Sequence, residues 1–386
     1  MNVSQRVIRV SVLVAALAVV GLIAWGDGHR DMFFLDTPYF FFQGRILFSA
    51  RWLQLFSDPE LQVGPLHVLA FAVFDKVGFF LNINPAHIGA VAIEVGLTAA
   101  LVVTARIVQP LKDRIWPDVA VIVAAVALGL TWNAFATGHF SEGLIPLLWV
   151  GAARAAARER PLRAGLLVAL GLGLKTWAIF GVIGLLLSPN WRVAARGAAA
   201  AVVGSLIIYG PFFLFGEVNT FDFHWIVHRD VGPIAPFVTV GEAFGWGGRL
   251  FQGLFVVAMG LLSVWWLRPR TTHATWAVPL MLVLARVWTD PVGIPYYWVP
   301  VQALTIVGIV AVIKWKLELW RLLLIACLWL LLWPSATWTP VLGVVICALL
   351  VKLPADEVLP ADDQPNAKEG DVEVPGSPLP PVTTEV

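Results

Sequence analysis

The chain has 386 residues, of which 59% are hydrophobic and 13% charged, and its mean hydropathy is +0.81. No soluble domain of that size needs so much apolar surface, so the repeated apolar runs read as an all-α polytopic transmembrane bundle of about 12 helices, two of them short. The net charge of +1 gives no reason to expect a nucleic-acid partner.

Arg6 and Arg9 precede the first apolar run, and no small-residue cleavage site follows near Ala24–Asp27. That run is expected to be an uncleaved first helix. Further basic clusters stand at 106–114, 154–163, 192–196, 268–270 and 314–321. The positive-inside rule makes all of them, and both termini, cytoplasmic. The opposite side then carries twelve carboxylates against four in the cytoplasmic loops, so the polar chemistry is expected to face outward.

In chain order, helices are expected at roughly 8–25, 88–106, 118–136, 142–157, 162–174, 176–188, 195–215, 250–267, 274–289, 296–313, 317–333 and 338–352. No strand pattern is legible. Segment 27–87 is an external loop with six carboxylates, and its apolar piece 64–81 is expected on the outer interface. Segment 162–188 must leave the cytoplasmic side and return. A full span takes about 20 residues, so it is expected to form a hairpin of half-length helices turning near Lys175. Residues 1–215 then form the core, 216–249 an external loop, and 250–353 a C-terminal helical set. Residues 354–386, Pro-rich with eight carboxylates, form a cytoplasmic tail expected to be disordered.

Several residues carry candidate chemistry. Asp36, in Asp36-Thr37-Pro38-Tyr39, suits a helix N-cap and also a general base whose pKa a half-dry place raises, two compatible readings. Asp58, Glu60 and Gln62 form a turn or a hydrogen-bonding platform for a polyol. His139, between Gly138 and Phe140, is a polar turn residue or a phosphate contact. Lys175 is an intramembrane cation, a functional-site hypothesis by default. Its bland alternatives are snorkelling or pairing with Glu94, for which Arg286 competes, so one cation is expected to lack an anionic mate. His228 and Arg229 form a cationic patch suited to a phosphate. His224 and His228 supply only two metal ligands, and no metal site is expected. Cys327 and Cys347 read as buried small hydrophobes. No nucleotide-binding or metalloprotease motif is present, and no cofactor is expected.

Three stretches together resemble the GT-C glycosyltransferases, above all the actinobacterial enzymes that use polyprenyl-phosphate mannose or arabinose. They are Asp36 through Gly44, the Gly138-His139 turn, and Gly173-Leu174-Lys175 followed by Asn190-Trp191-Arg192. The similarity covers about residues 10–215, and the chain departs from the family in having Val63-Gly64-Pro65 where Tyr-Pro-Pro is usual. The resemblance implies an inverting transfer from a polyprenyl-phosphate sugar to a cell-envelope glycan or glycolipid. Asp36 would be the base; Lys175, His139, His228 and Arg229 would meet the donor phosphate; Asp58, Glu60, Gln62 and Tyr39 would face the acceptor or sugar. Two other readings stand beside it: a transporter or lipid flippase with its site at Lys175, and an assembly partner for envelope-synthesis proteins.

Overall fold

The structure, a computed structural model, describes residues 3–29, 36–108, 114–223, 225–226, 243–244, 246–268, 271–290, 295–313, 318–333 and 338–352. Its α-helices are α1 (Val3–Asp27), α2 (Thr37–Leu47), α3 (Pro65–Leu81), α4 (Pro85–Val108), α5 (Trp116–Ala127), α6 (Leu130–Ala136) and α7 (Phe140–Ala157). After these come α8 (Pro161–Leu174), α9 (Trp191–Phe215), α10 (Trp246–Leu267), α11 (Thr271–Thr289), α12 (Val299–Val312), α13 (Leu319–Leu330) and α14 (Thr339–Leu350). Two-residue strands Trp225–Ile226 and Ala243–Phe244 pair antiparallel, a feature too short to leave a period-two pattern in the sequence. The tail 354–386 and most of the loop 216–249 lie outside the described residues.

Among the described residues four helices are long and apolar enough to cross a membrane: α1, α4, α9 and α10. The expected helix 118–136 is a bent pair, α5 and α6, which meet at 47° and make a fifth candidate span. The bend falls at Gly129, whose φ of +64° admits glycine without strain. The apolar helices α8, α12, α13 and α14 are shorter. The expected external loop is itself largely helical, with α2 and α3 each opened by a proline in its first turn.

Helices α1 and α4 run antiparallel and are pinned at both ends. At one end Arg9 and Arg106 both donate to Asp118, at 2.7 and 2.9 Å through their Nη2 atoms. At the other, the His87 ring stacks on Trp25 at 4.7 Å and its Nδ1 lies 3.1 Å from the Trp25 carbonyl oxygen. Helix α12 is buried on nearly every side, while α1 and α9 leave apolar faces uncovered, as at Leu22, Leu206, Ile207 and Leu214. That distribution contrasts an almost fully packed helix, α12, with helices that turn apolar faces outward, α1 and α9.

The expected hairpin is present, with one difference. Helix α8 stops at Lys175, whose backbone is extended, and the return arm Thr176–Leu187 is a 3₁₀ helix. Twelve residues is long for that geometry. Packing holds it there: the Trp149 indole N–H donates to the Ala178 carbonyl at 3.0 Å, and Gly171 lies close against the Ala178 methyl.

Candidate functional site

The start of α2 docks on the turn between α6 and α7. The Thr37 hydroxyl donates to the Phe135 carbonyl at 2.8 Å, which sets Asp36 beside His139. Gly138 permits this approach. Its φ is +73°, and a Cβ there would stand 2.6 Å from the Phe40 ring and 3.2 Å from Thr37 Cα. Asp36 precedes α2 without capping it: its carboxylate makes no hydrogen bond to the helix N-terminus. The N-cap reading is thereby corrected, and the carboxylate, 57% exposed, turns to His139 instead.

From Asp36 a continuous polar chain runs into the core. Asp36 Oδ2 lies 2.8 Å from His139 Nε2, and His139 Nδ1 lies 3.5 Å from Lys175 Nζ. A lysine ammonium can only donate, so Nδ1 is the acceptor and Nε2 carries the proton given to Asp36. Lys175 also donates to Glu142 Oε1 at 2.7 Å, and Arg286 donates to Glu142 Oε2 at 2.6 Å. Arg286 Nε stands 3.9 Å from Asp290 Oδ2, which also accepts from Arg249 at 3.2 Å.

The alternative in which Lys175 pairs with Glu94, and the expectation that one cation is left without a mate, are both overturned. Both cations share Glu142, which is completely buried in the first turn of α7. Glu94 accepts from the Thr131 hydroxyl at 3.2 Å. One carboxylate between two cations leaves the innermost triad with a net positive charge.

Aromatic rings wall this network. Tyr296 stacks on the His139 ring at a centroid distance of 3.9 Å, and Lys175 Nζ lies 5.5 Å from its centroid. The Arg286 guanidinium lies 4.1 Å from the Trp177 ring and 4.8 Å from Tyr297, suitable for cation–π attraction. Burial and the nearby Lys175 cation lower the His139 pKa to about 4, so the ring is neutral near pH 7. The raised pKa expected for Asp36 is corrected: the hydrogen bond from His139 holds it below the usual carboxylate range, against the opposing effect of burial.

The second acidic cluster has a different character. Asp58 Oδ2 accepts from both the Tyr39 hydroxyl and the Gln43 amide, each at 2.8 Å, and Oδ1 accepts from the Glu60 backbone N–H at 3.0 Å. Both oxygens of Asp58 are thus engaged in holding α2 to the 58–60 turn. The Tyr39 pKa is raised, by burial first and by the Asp58 hydrogen bond second. Gln62 donates its amide to the Pro59 carbonyl at 2.7 Å, and Glu60 is exposed. The loop is tied to the hairpin by the Gly64 N–H, which donates to the Leu174 carbonyl at 2.8 Å.

The structure therefore joins Asp36, His139 and Lys175 into one site and places Tyr39 and Asp58 in a neighbouring cluster on the same helix. His228 and Arg229 lie outside the described residues. Sequence reasoning missed Tyr296, Tyr297, Trp177, Asp290 and Arg249. One signal was available: the chain has only four tyrosines, and three of them, Tyr39, Tyr296 and Tyr297, gather at these two clusters. The fourth, Tyr209, donates to the Leu172 carbonyl at 2.8 Å and braces the hairpin. Neither a family model nor a curated protein matches the chain.

Proposed function

We propose that the chain is an inverting membrane glycosyltransferase of GT-C type, which moves a mannosyl or arabinosyl unit from a polyprenyl-phosphate donor to an envelope glycan or glycolipid outside the membrane. The observation that carries this reading is the Asp36–His139–Lys175 relay. It links an accessible carboxylate, free of any capping duty, through a neutral histidine to a buried cation.

In the proposed reaction an acceptor hydroxyl loses its proton to Asp36 as its oxygen attacks the anomeric carbon. The bond from that carbon to the phosphate oxygen breaks, the configuration inverts, and the lipid phosphate leaves with both electrons and an added negative charge. A depressed pKa keeps Asp36 ionised and ready to accept; the proton moves late, as the new bond forms. Lys175 and Arg286, fixed on Glu142 in a water-poor place, would stabilise the charge developing on the phosphate. His139 holds the carboxylate in orientation.

The expected outward orientation of the site has support in the helix ends. Asp118 gathers Arg9 and Arg106 at one end of α1 and α4, and Asp36 follows the other end of α1 in the chain. At Gly64 the departure from the family's Tyr-Pro-Pro has a local reason, since a proline there has no N–H to give to Leu174.

A transporter reading keeps one favourable observation, the helix broken at a buried lysine. The deciding experiment is transfer of radiolabelled sugar from polyprenyl-phosphate mannose, and separately arabinose, by purified protein in nanodiscs. Transfer that disappears in Asp36→Asn supports the enzyme and names its donor. Well-folded protein that transfers neither sugar sinks the proposal, and lipid flipping that depends on Lys175 would install the transporter in its place.

A further inference from the structure

Helix α3 carries an apolar stripe that the described residues leave partly open at Leu69, Val73 and Val77 and almost wholly open at Phe80. Leu69, Val73, Val77 and Phe80 follow one another at helical spacing and are all exposed; Phe79 and Phe80 are 80% and 82% exposed. Lys76 sits within this stripe, one turn from Val73 and from Phe80. Its neighbour Asp75 is already taken: Arg45 donates to Asp75 Oδ1 at 3.0 Å. Lys76 has no ion pair or hydrogen bond among the described residues. Lys76 is exposed, and an exposed cation beside an apolar surface of this kind attracts an anion at the level its ammonium can reach.

A cleft of about 580 Å³ opens at that position, lined by Arg45, Asp75, Lys76, Phe79, Asn82 and Asn84 among others. It shares no residue with the Asp36–Lys175 network. It lies where α3 turns into α4, at the same end as the Trp25–His87 stack, the level at which aromatic rings gather along a membrane boundary. With Asp75 balancing Arg45, Lys76 leaves the cleft with a surplus positive charge.

We propose that this cleft binds the phosphate of an anionic membrane phospholipid, with Lys76 as its counter-ion, Asn82 and Asn84 at its rim, and the acyl chains against Phe79 and Phe80. An anionic rather than a zwitterionic lipid is selected because, among the described residues, no carboxylate beyond the Arg45-bound Asp75 lines the cleft to hold a choline or ethanolamine group.

The test uses the full chain released from nanodiscs holding equal amounts of phosphatidylglycerol and phosphatidylcholine, with retained lipids counted by native mass spectrometry. The expected result is enrichment of phosphatidylglycerol on the wild type, reduced about five-fold in Lys76→Gln, the effect of one lysine at an anionic surface. Lys76→Arg should keep the enrichment, which separates charge loss from misfolding. Equal retention of the two lipids by the wild type, or undiminished enrichment in Lys76→Gln, overturns the proposal. Displacement by soluble glycerol 3-phosphate also overturns it, since the site would then belong to a soluble anion. Lipid counts are independent of sugar transfer, so this result and that of the transfer assay stand separately.

Discussion

His139 Nε2 and Asp36 Oδ2 meet at 2.8 Å although 103 residues of chain separate them. The hydrogen bond fixes the carboxylate at the mouth of a polar chain that runs inward through Lys175 and Glu142 to Arg286 and Asp290, and the start of α2 has no side-chain cap. Function, stability and pH response at this site are therefore separable by mutation.

Asp36→Asn should lower sugar transfer by about 10²–10⁴-fold, the usual contribution of a positioned base. Its thermal midpoint in detergent should stay close to the wild type, because no helix cap is lost. Wild-type turnover in this variant would remove Asp36 from the mechanism.

Asp58→Asn is the contrasting variant. An amide oxygen still accepts from Tyr39 and Gln43, so transfer should fall by no more than about ten-fold, equivalent to ~1.4 kcal/mol. A loss as deep as that of Asp36→Asn would move the base to Asp58.

Glu142→Gln leaves Lys175 and Arg286 buried without their shared anion. Removing one partner from a buried ion pair costs about 3–5 kcal/mol, so the thermal midpoint should drop markedly. Adding Lys175→Met to this variant should recover part of the loss. Two strictly additive effects would show that the three charges are not energetically coupled.

The pH dependence follows from His139, whose pKa falls from 6.5 to about 4 on burial beside Lys175. Between those values the unfolded chain binds a proton that the folded chain does not. Stability therefore rises with pH across this window and is lost as pH falls through it, by on the order of 3 kcal/mol at the acid end. Melting curves from pH 7 to pH 4 should slope less steeply in His139→Gln, which has no such group to titrate. Parallel slopes would place the acid sensitivity elsewhere.

Gly138→Ala should be costly, since the new Cβ would occupy a left-handed backbone position 2.6 Å from the Phe40 ring. A loss of about 1–3 kcal/mol is expected from the backbone conformation alone. The docking of α2 should loosen with it, and transfer should fall by more than stability does.

Much of the helical layout was legible in the sequence, because apolar runs and their charged ends follow from hydropathy alone. The break at Lys175 could be placed because 162–188 is too short for two spans. The helicity of α2 and α3 was less visible, since Asp58, Glu60 and the Gly64-Pro65 turn read as loop chemistry. Asp36, His139 and Lys175 stood out individually as polar groups in apolar surroundings, yet nothing local joined them.

The sequence by itself determined a predominantly helical, strongly apolar chain whose polar candidates stand at the ends of its apolar runs. Hydropathy and charge placement act residue by residue and need no knowledge of packing. Only the tertiary structure decided that Glu142, two residues past the start of α7, and not the mid-helix Glu94, is the anion for both Lys175 and Arg286. Depth and partnership depend on how α7, α11 and the hairpin cross, and electrostatic pairing is settled by distances of a few ångströms between residues far apart in the chain.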